Sequence, residues 1–184
     1  MDKMGLMGLL KNFTGNVCNL SHPFIQDDKI ISTNGHLMII IDKTVAPDTY
    51  RLINDLKLSV ELPDALGALA DFTRYGIRKP FKQSCIDKLK IKHNYPYHIF
   101  SRNWLQKERA SSPFDCGEDC PISTEKKILF DEGFYVNFAY LMLLEAIMLY
   151  FGGNWTVWFP ESKREQIIFT SGKVIFSLMP MGCK

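Results

Sequence analysis

Apolar residues recur at helical spacing from Met4 to Phe13 (MGLMGLLKNF), and Gly15-Asn16 follows as a stop signal, so the chain opens on a short amphipathic helix. An extended segment leads to Lys29–Thr33, then Asn34-Gly35, then His36–Asp42. Asn-Gly between two β-rich runs predicts a hairpin, because a type I′ turn needs positive φ at both central residues. Arg51 to Val60 alternates as a strand does, and Pro63 to Tyr75 (PDALGALADFTRY) reads as a helix with proline in its first turn. Beyond it the pattern is irregular to about Glu125, punctuated by Pro80, Pro96, Pro113 and Pro121. Order returns at Lys127–Phe130, a strand. Asn137 then caps a helix running through Tyr150, which Gly152-Gly153 ends. Trp155–Phe159 is a strand, Pro160–Arg164 a polar turn, and Gln166–Thr170 with Lys173–Met179 a second hairpin around Ser171-Gly172.

Helix, hairpin, elaboration, helix and antiparallel strands in that order predict an α+β fold with helices on one face of an antiparallel sheet. We expect one domain over residues 1–184, with 61–126 as an insertion or elaboration within it. Apolar residues make up 46% and charged residues 23%, the balance of a soluble globular protein. Phe138–Phe151, the longest apolar stretch, is 14 residues and broken by Glu145, short of the roughly 20 a bilayer span requires. With no basic-then-apolar leader and five irregularly spaced cysteines, the expected setting is the cytoplasm, with thiols reduced and no membrane partner.

Net charge is only +2, but the average hides a segregation. Arg74 to Arg109 carries ten Lys or Arg against Asp87 and Glu108, making that segment +8 and the remainder −6. Such clusters bind phosphates through counterion release. Interleaved aromatics (Tyr75, Phe81, Tyr95, Tyr97, Phe100 and Trp104) are of the kind on which unpaired bases stack. The candidate nucleic-acid residues are Arg74, Arg78, Lys79, Lys82, Lys88, Lys90, Lys92, Arg102 and Trp104. The structural alternative is a solvated basic surface whose aromatics enter the core.

No catalytic constellation is present: there is no glycine-rich phosphate loop, Gly-x-Ser-x-Gly elbow or His-Glu-x-x-His. His36 falls at a hairpin turn, where it is expected to bond neighbouring backbone, and Asp27, Asp28, Glu118 and Asp119 are acidic pairs in turn-like surroundings. Cys116 and Cys120 have zinc-compatible spacing, and Cys85, His93 or His98 could complete a tetrahedron, but no second matched pair exists. No cofactor is expected, and the protein is not expected to be an enzyme.

Two segments resemble the bacterial sliding clamp, the processivity ring of DNA polymerase III. Ile30–Ile39 (IISTNGHLMI) is similar to the clamp's strand–turn–strand signature, with Asn34 where Asp is usual and Leu37 where Arg is usual. Phe134–Leu141 (FYVNFAYL), the helix after it, and the closing Val174–Met181 (VIFSLMPM) resemble the last half-domain. The resemblance covers Lys29–Asp42 and Lys127–Met181. It implies a clamp-like domain of antiparallel sheets with two helices on one face. Six such domains close a ring around duplex DNA, so a ring would need six copies of this chain. It also implies that Met179, Pro180 and Met181 help line a pocket for short peptides of replication or repair proteins, although Gly182 stands where the family has Arg. The helix after Asn137 lacks the Lys and Arg that would face DNA, so it is expected in the core, covered by the elaboration or by another subunit. The function expected is therefore contact with DNA or replication partners through the basic central segment. The alternative is an adaptor or decoy with the same fold that never touches DNA.

Overall fold

In a computed structural model, which describes residues 3–15, 20–56, 61–92 and 127–181, the chain runs α1 (Lys3–Lys11), β1 (Phe24–Gln26), β2 (Lys29–Thr33), β3 (Leu37–Asp42), α2 (Pro47–Asn54), a 3-10 turn (Phe72–Arg74), β4 (Ile77–Phe81), α3 (Gln83–Lys92), β5 (Lys127–Leu129), β6 (Tyr135–Asn137), α4 (Phe138–Phe151), β7 (Trp155–Phe159), β8 (Ile167–Ser171) and β9 (Val174–Leu178). Seven strands form one antiparallel sheet in the order β1-β2-β3-β9-β8-β7-β4, and β5 pairs with β6 separately. Both expected hairpins are present, and the β3–β9 pairing joins them, with Ile39 opposite Phe176.

One face of the sheet carries the main core. Ile30, Ile39 and Ile41 from the first hairpin and Phe169, Phe176 and Leu178 from the second point into it. All four α-helices among the described residues add side chains to this core: Leu6 and Leu10 from α1, Ile53 from α2, Ile86 from α3, and most of α4. The expected pair of helices thus has two companions. α4 is apolar nearly all round, ten of its 14 residues are buried, and a helix of that kind must be covered on more than one side. The sheet covers one side and α3 packs on another. Asn137 caps α4 by accepting from Ala139 N–H at 3.0 Å, and Gly152 ends it at φ +63°.

The opposite face of the sheet is covered too. Ile31, Met38 and Ile40 alternate with the core residues along β2 and β3 and meet Ala65, Leu66 and Leu69. Residues 61–75 therefore lie as a strap across the outside. Burial on both faces explains the unbroken apolar run Leu37–Ile41.

Four readings of the sequence change. Arg51–Val60 does not begin as a strand: Pro47–Asn54 is a helix with proline in its first turn and Thr49 and Ile53 buried one turn apart, and residues 57–60 lie outside those described. Pro63–Tyr75 is not a continuous α-helix: its backbone closes short local turns, such as Leu69 N–H to the Leu66 carbonyl and Tyr75 N–H to the Phe72 carbonyl, and distant glutamines take donors between them. Gln26 Oε1 accepts from Ala65 N–H (3.1 Å) and Leu66 N–H (3.2 Å), and Gln166 Oε1 accepts from Ala70 N–H (3.0 Å). The irregular stretch after Tyr75 contains an edge strand and a helix, β4 and α3. β4 (IRKPF) is polar and holds a proline, as a sheet edge tolerates and a central strand does not. Finally, the Asn34-Gly35 turn is not type I′, since only Gly35 has positive φ (+88°). A two-residue turn with both φ positive does occur at Asp27 (+45°) and Asp28 (+61°), between β1 and β2.

Candidate partner-docking pocket and basic surface

Asn34 builds the first hairpin turn with its side chain, Oδ1 accepting from His36 N–H (2.9 Å) and Leu37 N–H (3.0 Å). Thr33 Oγ1 accepts from Gly35 N–H (3.1 Å) and donates to the Leu37 carbonyl (2.7 Å). His36 is exposed, and its contribution to the turn is through backbone: its carbonyl accepts from Met179 N–H at 2.7 Å. That bond ties the end of β9 to the turn.

A pocket of about 170 Å³ opens where these parts meet. Its lining comes from the turn and β3 (Thr33, Gly35, His36, Leu37, Met38), from the strap (Pro63, Asp64, Ala65, Ala68), and from Leu20, Gln166, Ser177 and Met179. Most of the wall is carbon, with polar groups at His36, Asp64, Gln166 and Ser177. Gln166 is held by its bond from Ala70 N–H and by donating Nε2–H to the Ala68 carbonyl (3.1 Å). Asp64 is exposed, and Oδ1 accepts from Gln26 Nε2 (2.7 Å) and Gly67 N–H (2.8 Å), which together hold its carboxyl below the usual carboxylate range.

Of the three residues expected to receive a partner, Met179 is half-buried and forms part of this wall. Pro180 and Met181 are half-buried outside it, with Met181 N–H donating to the Tyr135 carbonyl of β6 at 2.7 Å. Asp64, Ala65 and Gln166 were not singled out by sequence. The signal for them is long-range, since they sit where Gln26 and Gln166 anchor the strap.

The basic residues are divided among different surroundings. Arg74 is exposed and pairs with Asp71 (2.7 Å), while Arg78 lies over the Trp158 ring at 5.1 Å from its centroid. Lys79 pairs with Asp131 (3.2 Å) and Glu132, and the hydrogen bond to Glu132 is the main cause raising its pKa. Lys90 is committed inward: Nζ meets Glu145 Oε1 at 2.5 Å, with the two side chains only 12% and 7% exposed. Lys82, Lys88 and Lys92 are exposed, the latter two with Ser84 and Ile91 along the outer face of α3. Arg102 and Trp104 lie outside the described residues, as do Cys116, Cys120, Glu118, Asp119, His93 and His98. Among the aromatics, Phe81 is buried and Tyr75 donates its hydroxyl to the Gln166 carbonyl (3.0 Å), burial pushing its pKa up to about 12. Among the described residues, no group of three or more His, Cys, Asp or Glu could hold a metal, and no helix is long and apolar enough to cross a membrane.

No protein family matches the chain, and no curated protein does. Among solved structures, the chain is similar to DNA polymerase III subunit beta from Borrelia burgdorferi, determined in complex with a natural product, with a TM-score of 0.51 at 12% identity. The fold is clamp-like. The match covers 100% of this chain and 64% of that protein. At this identity the likeness concerns architecture: an antiparallel sheet carrying helices on one face.

Proposed function

We propose that this protein docks a short peptide segment of a replication or repair partner in the pocket walled by Met179, acting by contact and without chemistry. One observation carries the reading. The two segments that resemble the sliding clamp, Ile30–Ile39 and Val174–Met181, come from opposite ends of the sequence and share the walls of one pocket. Its size suits a single anchoring side chain, and methionine is an adaptable wall for such a guest. The likeness to a DNA polymerase III subunit points to replication as the setting. The test is fluorescence anisotropy of labelled leucine-bearing peptides against the full chain and a Met179→Asp variant. Saturable binding that Met179→Asp weakens tenfold or more supports the pocket, and equal binding by both proteins refutes it.

DNA contact is the second reading, and the exposed Lys82, Lys88 and Lys92 favour it. Each phosphate contact removed should lower the salt slope of binding by about one. The informative variant reverses Lys82, Lys88 and Lys92 together. Lys90 is left intact because its reversal would break the ion pair with Glu145. Unchanged DNA affinity and salt slope in that variant would remove α3 from any DNA surface, leaving the adaptor reading.

A further inference from the structure

The chemistry of the pocket specifies more about its guest than size alone. This step rests on the peptide-docking reading above. A volume of about 170 Å³ walled by Leu20, Leu37, Met38, Pro63, Ala65 and Met179 fits one leucine- or phenylalanine-sized group, given that a cavity of about 150 Å³ lined by apolar side chains holds a benzene ring. Among the described residues lining it, Asp64 carries the only carboxylate, and no Lys or Arg is present. The Asp64 side chain is also fixed in direction. Both hydrogen bonds from Gln26 and Gly67 go to Oδ1, and among the described residues Oδ2 receives none. Oδ2 lies over the Gly67 Cα, only 2.1 Å from where a Cβ would stand. The carboxylate is thus braced through Oδ1, and Asp64 is exposed at the edge of an apolar hole.

We infer that the segment received here carries a leucine- or phenylalanine-sized anchor with a lysine or arginine beside it, the anchor filling the pocket and the cation meeting Asp64 Oδ2. Because the carboxylate is already ordered, a guest cation need restrict only its own side chain to form the pair. The pair is exposed, so its effect is modest and screened by salt.

The experiment compares short labelled Ala/Ser peptides carrying one central leucine, identical except for Lys, Ala or Glu beside it, by anisotropy at low and at physiological salt. The proteins are the full chain and its Asp64→Asn and Asp64→Lys variants. Asn keeps an acceptor for Gly67 N–H, and affinity for the Ala peptide checks that the pocket persists. The Lys peptide should bind the unaltered protein about three- to tenfold more tightly than the Glu peptide, a range set by one exposed attraction and one repulsion. The preference should shrink with salt, disappear in Asp64→Asn and reverse in Asp64→Lys. Equal binding of Lys and Glu peptides, tighter binding of the Glu peptide, or a preference that survives Asp64→Asn overturns the cationic guest while peptide docking stands. If none of the three peptides binds, the docking reading falls and this inference falls with it.

Discussion

Replacing Lys90 by Met puts a defined burden on the packing of α3 against α4. Glu145 is the single charged residue in α4, 5% exposed, and its Oε1 receives both Lys90 Nζ and the Gln83 amide. In the Met variant the carboxylate stays in the core, and among the described residues Gln83 is its remaining side-chain donor. Breaking a buried pair by removing one member costs about 3–5 kcal/mol, and both side chains are buried deeply enough that solvent screening does not reduce this much. With a urea m-value of about 2 kcal/mol/M, the unfolding midpoint should fall by roughly 1.5–2.5 M. The double variant Lys90→Met/Glu145→Met removes both charges and keeps the volume, and should recover to within about 1 kcal/mol of the original. Glu145→Gln alone should cost less than Lys90→Met, about 1–3 kcal/mol, because the freed lysine can extend toward solvent from the last turn of α3. Urea melts give the midpoints, and amide exchange in 83–92 shows whether α3 opens before the sheet. A Lys90→Met cost under about 1 kcal/mol, or a double variant as unstable as Lys90→Met and a Glu145→Met single summed, would refute the reasoning.

Three other outcomes follow from the geometry. Gly152→Ala should destabilise by about 1–3 kcal/mol in thermal melts, since φ +63° with ψ −151° is open essentially to glycine alone. Phe169→Ala should cost about 3–5 kcal/mol by urea unfolding, because its ring packs edge-on against Phe81 and Phe176 and is fully buried. Asp64 has a folded pKa below its ordinary 3.8, so its hold on Gln26 and Gly67 is complete above that value and lost as pH falls through the lowered one. Trp158 fluorescence, which senses the strap through Phe72, should change over that acid range in the original protein and stay flat there in Asp64→Asn.

The sequence by itself determined the parts whose hydrogen bonds close locally. Both hairpins, the N-terminal helix and the Asn137-capped α4 are legible because apolar spacing and turn or cap residues agree with each other over a few positions. The clamp-like architecture was legible for the same reason, since the resemblance rests on those segments. Segments that borrow their hydrogen bonds from far away were misread. The strap looks helical in PDALGALADF, yet it closes in short turns, and Gln166, distant in sequence, takes the Ala70 N–H that a helix would turn back onto Leu66, while Gln26 anchors the Ala65 and Leu66 N–H groups. α2 and α3 were missed because each is short and buries a narrow stripe, Thr49 with Ile53 and Ile86 with Leu89, too little for periodicity to register.

The tertiary structure alone decided the meaning of individual side chains. Lys90 looks like its neighbours Lys88 and Lys92, and only the packing of α3 on α4 turns it inward to Glu145 while they face solvent. Met179 was a candidate from the start, but the pocket exists because β3 pairs with β9 and the strap crosses the outer face. Local propensity acts over a few residues, whereas a site is made by contacts whose closure cost is met only once the whole sheet forms.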